Sequence, residues 1–245
     1  MKKITCLTKA LLLGSCCFLS ALPLTATTVF DNSVNSLRTG FWFGETECGD
    51  QIQLVGTARF LTNFSCGYLL AVTDPTPHVT AKVKFYLNDG PIPLFDTYPA
   101  PGTVVYDSDW FAVRMALPGS LVFSAGSEFP AGGLYLPSSD ITWSIQFQGL
   151  VDDADAAGLM VYSPPVVGTD PPYSWANYGG EWSRDVWNGH QMNFQAKFEA
   201  TDVPEPPARA SLLLVVGLLV VMWARRTKWR EGIDKVASGK GAATL

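Results

Sequence analysis

Apolar and polar residues alternate with a period of two through the middle of the chain. In Val79-Thr80-Ala81-Lys82-Val83-Lys84-Phe85-Tyr86-Leu87 the odd positions are apolar and most even ones polar, the pattern of a half-buried strand, and Asn88-Asp89-Gly90 ends it in a turn. Ile141, Trp143, Ile145 and Phe147 alternate in the same way with Thr142, Ser144, Gln146 and Gln148, and Phe194, Ala196 and Phe198 with Gln195, Lys197 and Glu199. Further strands are expected at 51–56, 60–72, 103–106, 110–115, 120–124, 133–136 and 158–162. Turn-forming clusters such as Asp74-Pro75-Thr76-Pro77 and Pro164-Pro165 separate them. No segment of residues 27–202 keeps a helical apolar stripe. Strands with one polar and one apolar face require two sheets packed face to face, so the expectation is an all-β fold: a single antiparallel β-sandwich, jelly-roll-like, over 27–202. Trp42, Trp110 and Trp143 are read as rings of its core.

Both ends break this pattern. Lys2, Lys3 and Lys9 form a basic stretch ahead of a largely apolar run from Ala10 to Ala21, and Leu24-Thr25-Ala26 offers small or permissive residues, so 1–26 is expected to be a signal peptide cut after Ala26. Leu13-Gly14-Ser15-Cys16 loosely resembles a lipobox and offers lipidation of Cys16 as the alternative. At the other end, the run from Ala210 to Ala224 carries no charge and, extended by Ala208 and the stem of Arg209, approaches the roughly 20 residues that span a bilayer. Residues 208–226 are therefore read as a transmembrane helix with a basic flank. Arg225 and Arg226 set its topology, with the polar tail 227–245 in the cytoplasm and the sandwich outside. Pro204, Pro206 and Pro207 lack backbone donors and hold the entry to the helix extended.

The order Val203-Pro204-Glu205-Pro206, apolar run, Arg225-Arg226 resembles the PEP-CTERM sorting signal of bacterial surface proteins. That resemblance, over about the last fifth of the chain, implies an exosortase-type membrane protease that recognises the motif at 203–207, cuts near it and releases the ectodomain. It also implies prior export through signal peptidase and the export machinery, an inner-membrane precursor, and a final place at the cell surface or in the extracellular matrix. An ordinary membrane anchor with a Pro-rich stalk is the alternative, and the tail beyond Arg226 is longer than the family pattern. Inside the domain, Phe85-Tyr86-Leu87-Asn88-Asp89-Gly90 and Thr142-Trp143-Ser144-Ile145-Gln146-Phe147 resemble a β-sandwich ectodomain that recurs ahead of such signals and has no assigned activity.

Charge and cysteine usage agree with export. Residues 27–202 hold 19 Asp and Glu against 7 Lys and Arg, a formal charge of −12, which argues against nucleic acid as a partner. Cys6, Cys16 and Cys17 fall in the signal peptide. Cys48 and Cys66 remain, either as a disulfide tying neighbouring strands or as two separately buried thiols. The chain has 2 His, His78 and His190, neither in metal-ligand spacing, and it lacks a nucleophile elbow, a P-loop and a dinucleotide fingerprint. No enzyme activity is expected.

Two constellations carry candidate chemistry. Asp152, Asp153 and Asp155 cluster between two expected strands, where carboxylate oxygens suit Ca²⁺ or simply form an acidic hairpin turn. No other cofactor is expected. Trp175, Tyr178, Trp182 and Trp187, with Tyr173, crowd one Gly-containing segment and either stack on sugar rings or close one end of the core. The expected function is thus that of an exported structural or interaction protein of the envelope. The alternative is a carbohydrate-binding module acting on extracellular polysaccharide.

Overall fold

The computed structural model describes residues 25–73, 78–94, 97–171, 174–185 and 192–203. Residues 1–24, most of the expected signal peptide at 1–26, and everything from Pro204 onward, including Glu205, Pro206, Arg225 and Arg226, lie outside the described residues. Among the described residues no helix is long and apolar enough to cross a membrane.

Among the described residues fourteen strands follow one another: β1 (Thr27–Asp31), β2 (Ser36–Trp42), β3 (Glu47–Gln53), β4 (Phe60–Ala71), β5 (Thr80–Leu87), β6 (Val104–Asp107) and β7 (Phe111–Ala112), then β8 (Ala116–Ser124), β9 (Leu134–Tyr135), β10 (Asp140–Gln148), β11 (Ala156–Tyr162), β12 (Ser174–Tyr178), β13 (Glu181–Asp185) and β14 (Ala196–Thr201). They make two antiparallel sheets. In the first, the order is β1-β14-β4-β11-β2, with β8 and β9 also on β4; in the second it is β13-β12-β3-β10-β5-β6, with β7 on β5. The long strand β4 organises the first sheet. Ser65 pairs with both Lys197 and Val122, and Tyr68 with both Leu159 and Gly119, so β14 and β11 share one edge of β4 while β8 takes the other.

Alternation decides what faces inward. Ala81, Val83 and Phe85 of β5 and Ile141, Trp143, Ile145 and Phe147 of β10 all enter the core, where they meet Leu61, Phe64, Cys66, Phe123 and Phe198 of the first sheet. Phe64 is the hub, with ring centroids 5.1 Å from Phe85, 5.5 Å from Trp143, 5.8 Å from Phe123 and 4.8 Å from Phe198. Each such ring stabilises by roughly 1.5–3 kcal/mol on burial, and each tilted or edge-on pair adds about 1 kcal/mol. The two sheets are thereby sealed into a sandwich.

Two expectations need correction. Trp143 is a core ring, but Trp42 and Trp110 are 46% and 40% exposed. Trp42 ends the edge strand β2, and Trp110 lies outside the strands with the Lys82 ammonium 5.3 Å from its ring centre. Nor does a disulfide join Cys48 to Cys66. Their strands are consecutive in sequence yet belong to opposite sheets, because residues 54–59 carry the chain from one sheet to the other. Both side chains are buried in the core, and burial pushes the Cys66 thiol well above its ordinary value.

Candidate functional site

The second sheet carries a polar face as organised as its apolar one. β12 and β13 form a hairpin added to the edge of β3, with Trp175 opposite Gly49 and Asn177 opposite Glu47. Tyr178 pairs with Glu181 across a two-residue loop, Gly179-Gly180, where φ is +69° and +102°. Positive φ at both loop positions matches the twist of the flanking strands, and glycine adopts it without strain. The Asn177 carboxamide oxygen accepts the Gly180 N–H at 2.7 Å and fixes the turn.

Register places Trp175, Asn177, Trp182 and Arg184 on the outward face of this sheet, with Glu47, Gly49 and Gln51. Trp175 is fully buried there. It is register-paired with Gly49, where even a Cβ would stand 2.2 Å from the Trp143 carbonyl oxygen, and its indole N–H donates to Gln51 Oε1 at 3.3 Å. Gln51 passes the chain of bonds on to Asp140 at 2.9 Å, which also accepts from Asn88 at 2.6 Å, while the Thr142 hydroxyl donates to Asn88 at 2.7 Å. Beside this network Trp182 meets the Tyr86 ring edge-on at 5.3 Å. The Tyr86 and Ser144 hydroxyls donate to Glu47 Oε1 at 2.7 and 2.6 Å, and Lys84 pairs with Glu47 Oε2 at 3.1 Å. Burial, then the neighbouring Glu47 charge, pushes the Tyr86 phenol far above its ordinary value, so it stays a donor at every physiological pH.

This arrangement redistributes the aromatic candidates. Trp175 and Trp182 share a face with Tyr86, but Trp175 has no exposed surface and supports the face rather than presenting a ring. Tyr178, 59% exposed, projects from the opposite side of the hairpin. Trp187 and Tyr173 lie outside the described residues. Tyr86, Glu47, Lys84 and Ser144 were not singled out from sequence, although Tyr86 is an aromatic residue at a polar-phase position of its strand, which is the signal that marks it.

The acidic turn is self-contained. Asp155 Oδ1 accepts the Thr73 N–H at 2.8 Å and its Oδ2 accepts the Val151 and Asp152 N–H groups at 3.1 and 3.2 Å, while Asp152 accepts the Thr73 hydroxyl. These bonds, the Thr73 amide first, hold the Asp155 carboxyl below its usual value. Asp153 is exposed on the same turn, and among the described residues no three His, Cys, Asp or Glu side chains gather into a set that could hold a metal. Val203, the last described residue, is 44% exposed, and its carbonyl accepts the Thr201 hydroxyl at 2.6 Å.

Comparison with known proteins returns no match to a protein-family model, to a curated protein or to a solved structure.

Proposed function

We propose that this chain is an exported envelope protein: a β-sandwich of jelly-roll type displayed outside the cell and released to the surface or matrix by an exosortase-type protease acting at Val203-Pro204-Glu205-Pro206. The observation that carries the reading is the order of segments in the sequence, a Pro-bracketed glutamate, a short uncharged apolar run and Arg225-Arg226. The end of β14 at Thr201 is consistent with it, since the last strand stops just ahead of the motif. Alternation of the chain between the two sheets from β2 to β5 and again from β9 to β12 favours the jelly-roll connection. Replacing Pro204, Glu205 and Pro206 together with alanine is expected to leave full-length protein in the membrane fraction and to deplete the released form. Unchanged release would overturn the proposal.

A second reading, recognition of extracellular polysaccharide, draws on the outward face of the second sheet. Trp182, backed by Tyr86 and flanked by Asn177 and Arg184, combines a half-buried ring with hydrogen-bonding groups, the composition that stacks on a sugar and orients its hydroxyls. Retention on the cell's own polysaccharide is expected to fall at least about tenfold in Trp182→Ala, a cost of about 1.4 kcal/mol, and to be unaffected by Tyr178→Ala. Equal retention of wild type and Trp182→Ala would exclude this face.

A further inference from the structure

The inward side of β3 gathers buried oxygens that have no donor. Asp50 is 0% exposed; its Oδ2 accepts the Phe194 N–H at 2.9 Å, and its Oδ1 has no hydrogen-bond partner. Asp170 follows Thr169, which pairs with Gln53 at the end of β3, and it comes near enough for its charge to act on Asp50. Its Oδ2 is buried and unpartnered as well. Ser174 is the register partner of Asp50 across the β3–β12 pair, so the two side chains share a face with Cβ atoms about 5 Å apart. The Ser174 Oγ is unpartnered at 0% exposure. Asn193 directly precedes the Phe194 amide that bonds Asp50, and its Oδ1 is unpartnered at 1% exposure.

Separate stretches of chain thus bring Asp170, Ser174 and Asn193 into the neighbourhood of Asp50, each with a buried oxygen that lacks a hydrogen-bond partner. A bridging water donates only two hydrogens and leaves the charge of half-buried Asp170 acting on buried Asp50, whereas a divalent cation answers the acceptors and the two negative charges together. All four groups are hard oxygen donors, with no imidazole or thiolate among them, which disfavours zinc and copper. Mg²⁺ demands a near-ideal octahedron and keeps its own waters, while Ca²⁺ accepts irregular sets of six to eight oxygens from side chains, backbone and water. Trp143, the partner of Asp50 on the β10 side, adds a buried N–H without an acceptor, suited to a carboxylate oxygen that the ion does not use.

We propose that Asp50, Asp170, Ser174 and Asn193 form a buried Ca²⁺ site on the inward side of the second sheet. Bound there, the ion ties β3 to the start of β12 and to the approach to β14, and so fixes the root of the hairpin that carries Trp175 and Trp182. Without it, burial shifts both carboxyls toward their protonated forms, Asp170 to about 7 and Asp50 well above its ordinary range.

The test is calorimetric titration of Ca²⁺ into the chelator-stripped full-length protein, with thermal unfolding in chelator and in excess Ca²⁺. One ion per chain and a rise of several degrees in unfolding temperature are expected. Asp170→Asn and Ser174→Ala each weaken binding at least tenfold, while the double variant Asp152→Asn, Asp155→Asn binds like wild type. Asp50→Asn is read in the same way, and if it does not fold the Asp170 and Ser174 variants carry the result. Absence of heat and of thermal shift in the wild type, full binding by Asp170→Asn and Ser174→Ala, loss of binding in the Asp152, Asp155 double variant, or Mg²⁺ binding as tightly as Ca²⁺ would each overturn the assignment.

Discussion

Glu47 and Asp50 are both buried carboxylates of β3, but they face opposite sides of the sheet and meet opposite fates. Glu47 points outward into a complete set of partners, with Lys84 as counter-ion and the Tyr86 and Ser144 hydroxyls as donors. Asp50 points inward, keeps one amide donor, and has a second carboxyl as its electrostatic neighbour. A buried acceptor without a donor costs about 1–3 kcal/mol, and the four unpartnered oxygens around Asp50 would together consume much of the roughly 5–15 kcal/mol by which a domain is stable. The outward carboxylate is a finished structural joint. The inward one is an environment shaped for something that supplies positive charge.

Removing one side of each arrangement gives the largest predicted contrast. Glu47→Ala strips Lys84 of its counter-ion and leaves two hydroxyls without their acceptor, so a loss of about 3 kcal/mol or more is expected, read as a lower urea midpoint at unchanged m. Glu47→Gln keeps an acceptor for both hydroxyls and is expected to lose less. Asp50→Asn, measured free of divalent ions, retains an acceptor for the Phe194 N–H and replaces a carboxyl that burial already holds toward its neutral form, so it is expected to cost under about 1 kcal/mol or to stabilise. If Asp50→Asn proves as damaging as Glu47→Ala, the two faces do not differ in the way described.

The same contrast shows what a one-dimensional reading can reach. Strands β4, β5 and β10 are legible because each has one wet and one dry side, and period-two alternation records that directly. The edge strand β2 is exposed or half-buried along its whole length, so no apolar phase announces it. The β12–β13 hairpin is hidden differently: its aromatic residues fall on both faces, and only Gly179-Gly180, the two-residue turn that defines it, marks it locally. Asp152, Asp153 and Asp155 are conspicuous because they are adjacent, yet adjacency lets local backbone amides satisfy them. Asp50 and Asp170 meet only because the chain returns to β3 through the Gln53–Thr169 bridge, and no local spacing encodes that. The proposed sorting segment is the reverse case, wholly a matter of sequence order.

The smallest expected effect tests the contrast through the sign of a pH slope. Burial lifts Asp170 from 3.8 to about 7, opposed only by its own backbone N–H, and burial with the Asp170 charge lifts Asp50, opposed by the Phe194 N–H. No cation is among the groups that shift either carboxyl. A carboxyl whose folded value exceeds its unfolded one binds more protons in the folded state, so its stabilising contribution is complete below about 3.8 and is lost as pH rises through about 7. Asp89, Glu128 and Asp155 behave oppositely, because hydrogen bonds from Thr103, from Ser127 and Ser124, and from Thr73 lower their folded values. Their contributions are present above the ordinary carboxylate range and lost as pH falls through their folded values, which places them below the window in question. In chelator, therefore, the wild type is expected to lose unfolding temperature between about pH 5 and about pH 8 relative to Asp170→Asn, which has no proton to give up there. Parallel profiles for the two proteins would mean that Asp170 is not held protonated by its surroundings. Saturating Ca²⁺ should remove the wild-type loss, since an ion that displaces the protons binds more tightly as pH rises and opposes the slope that the empty carboxyls create.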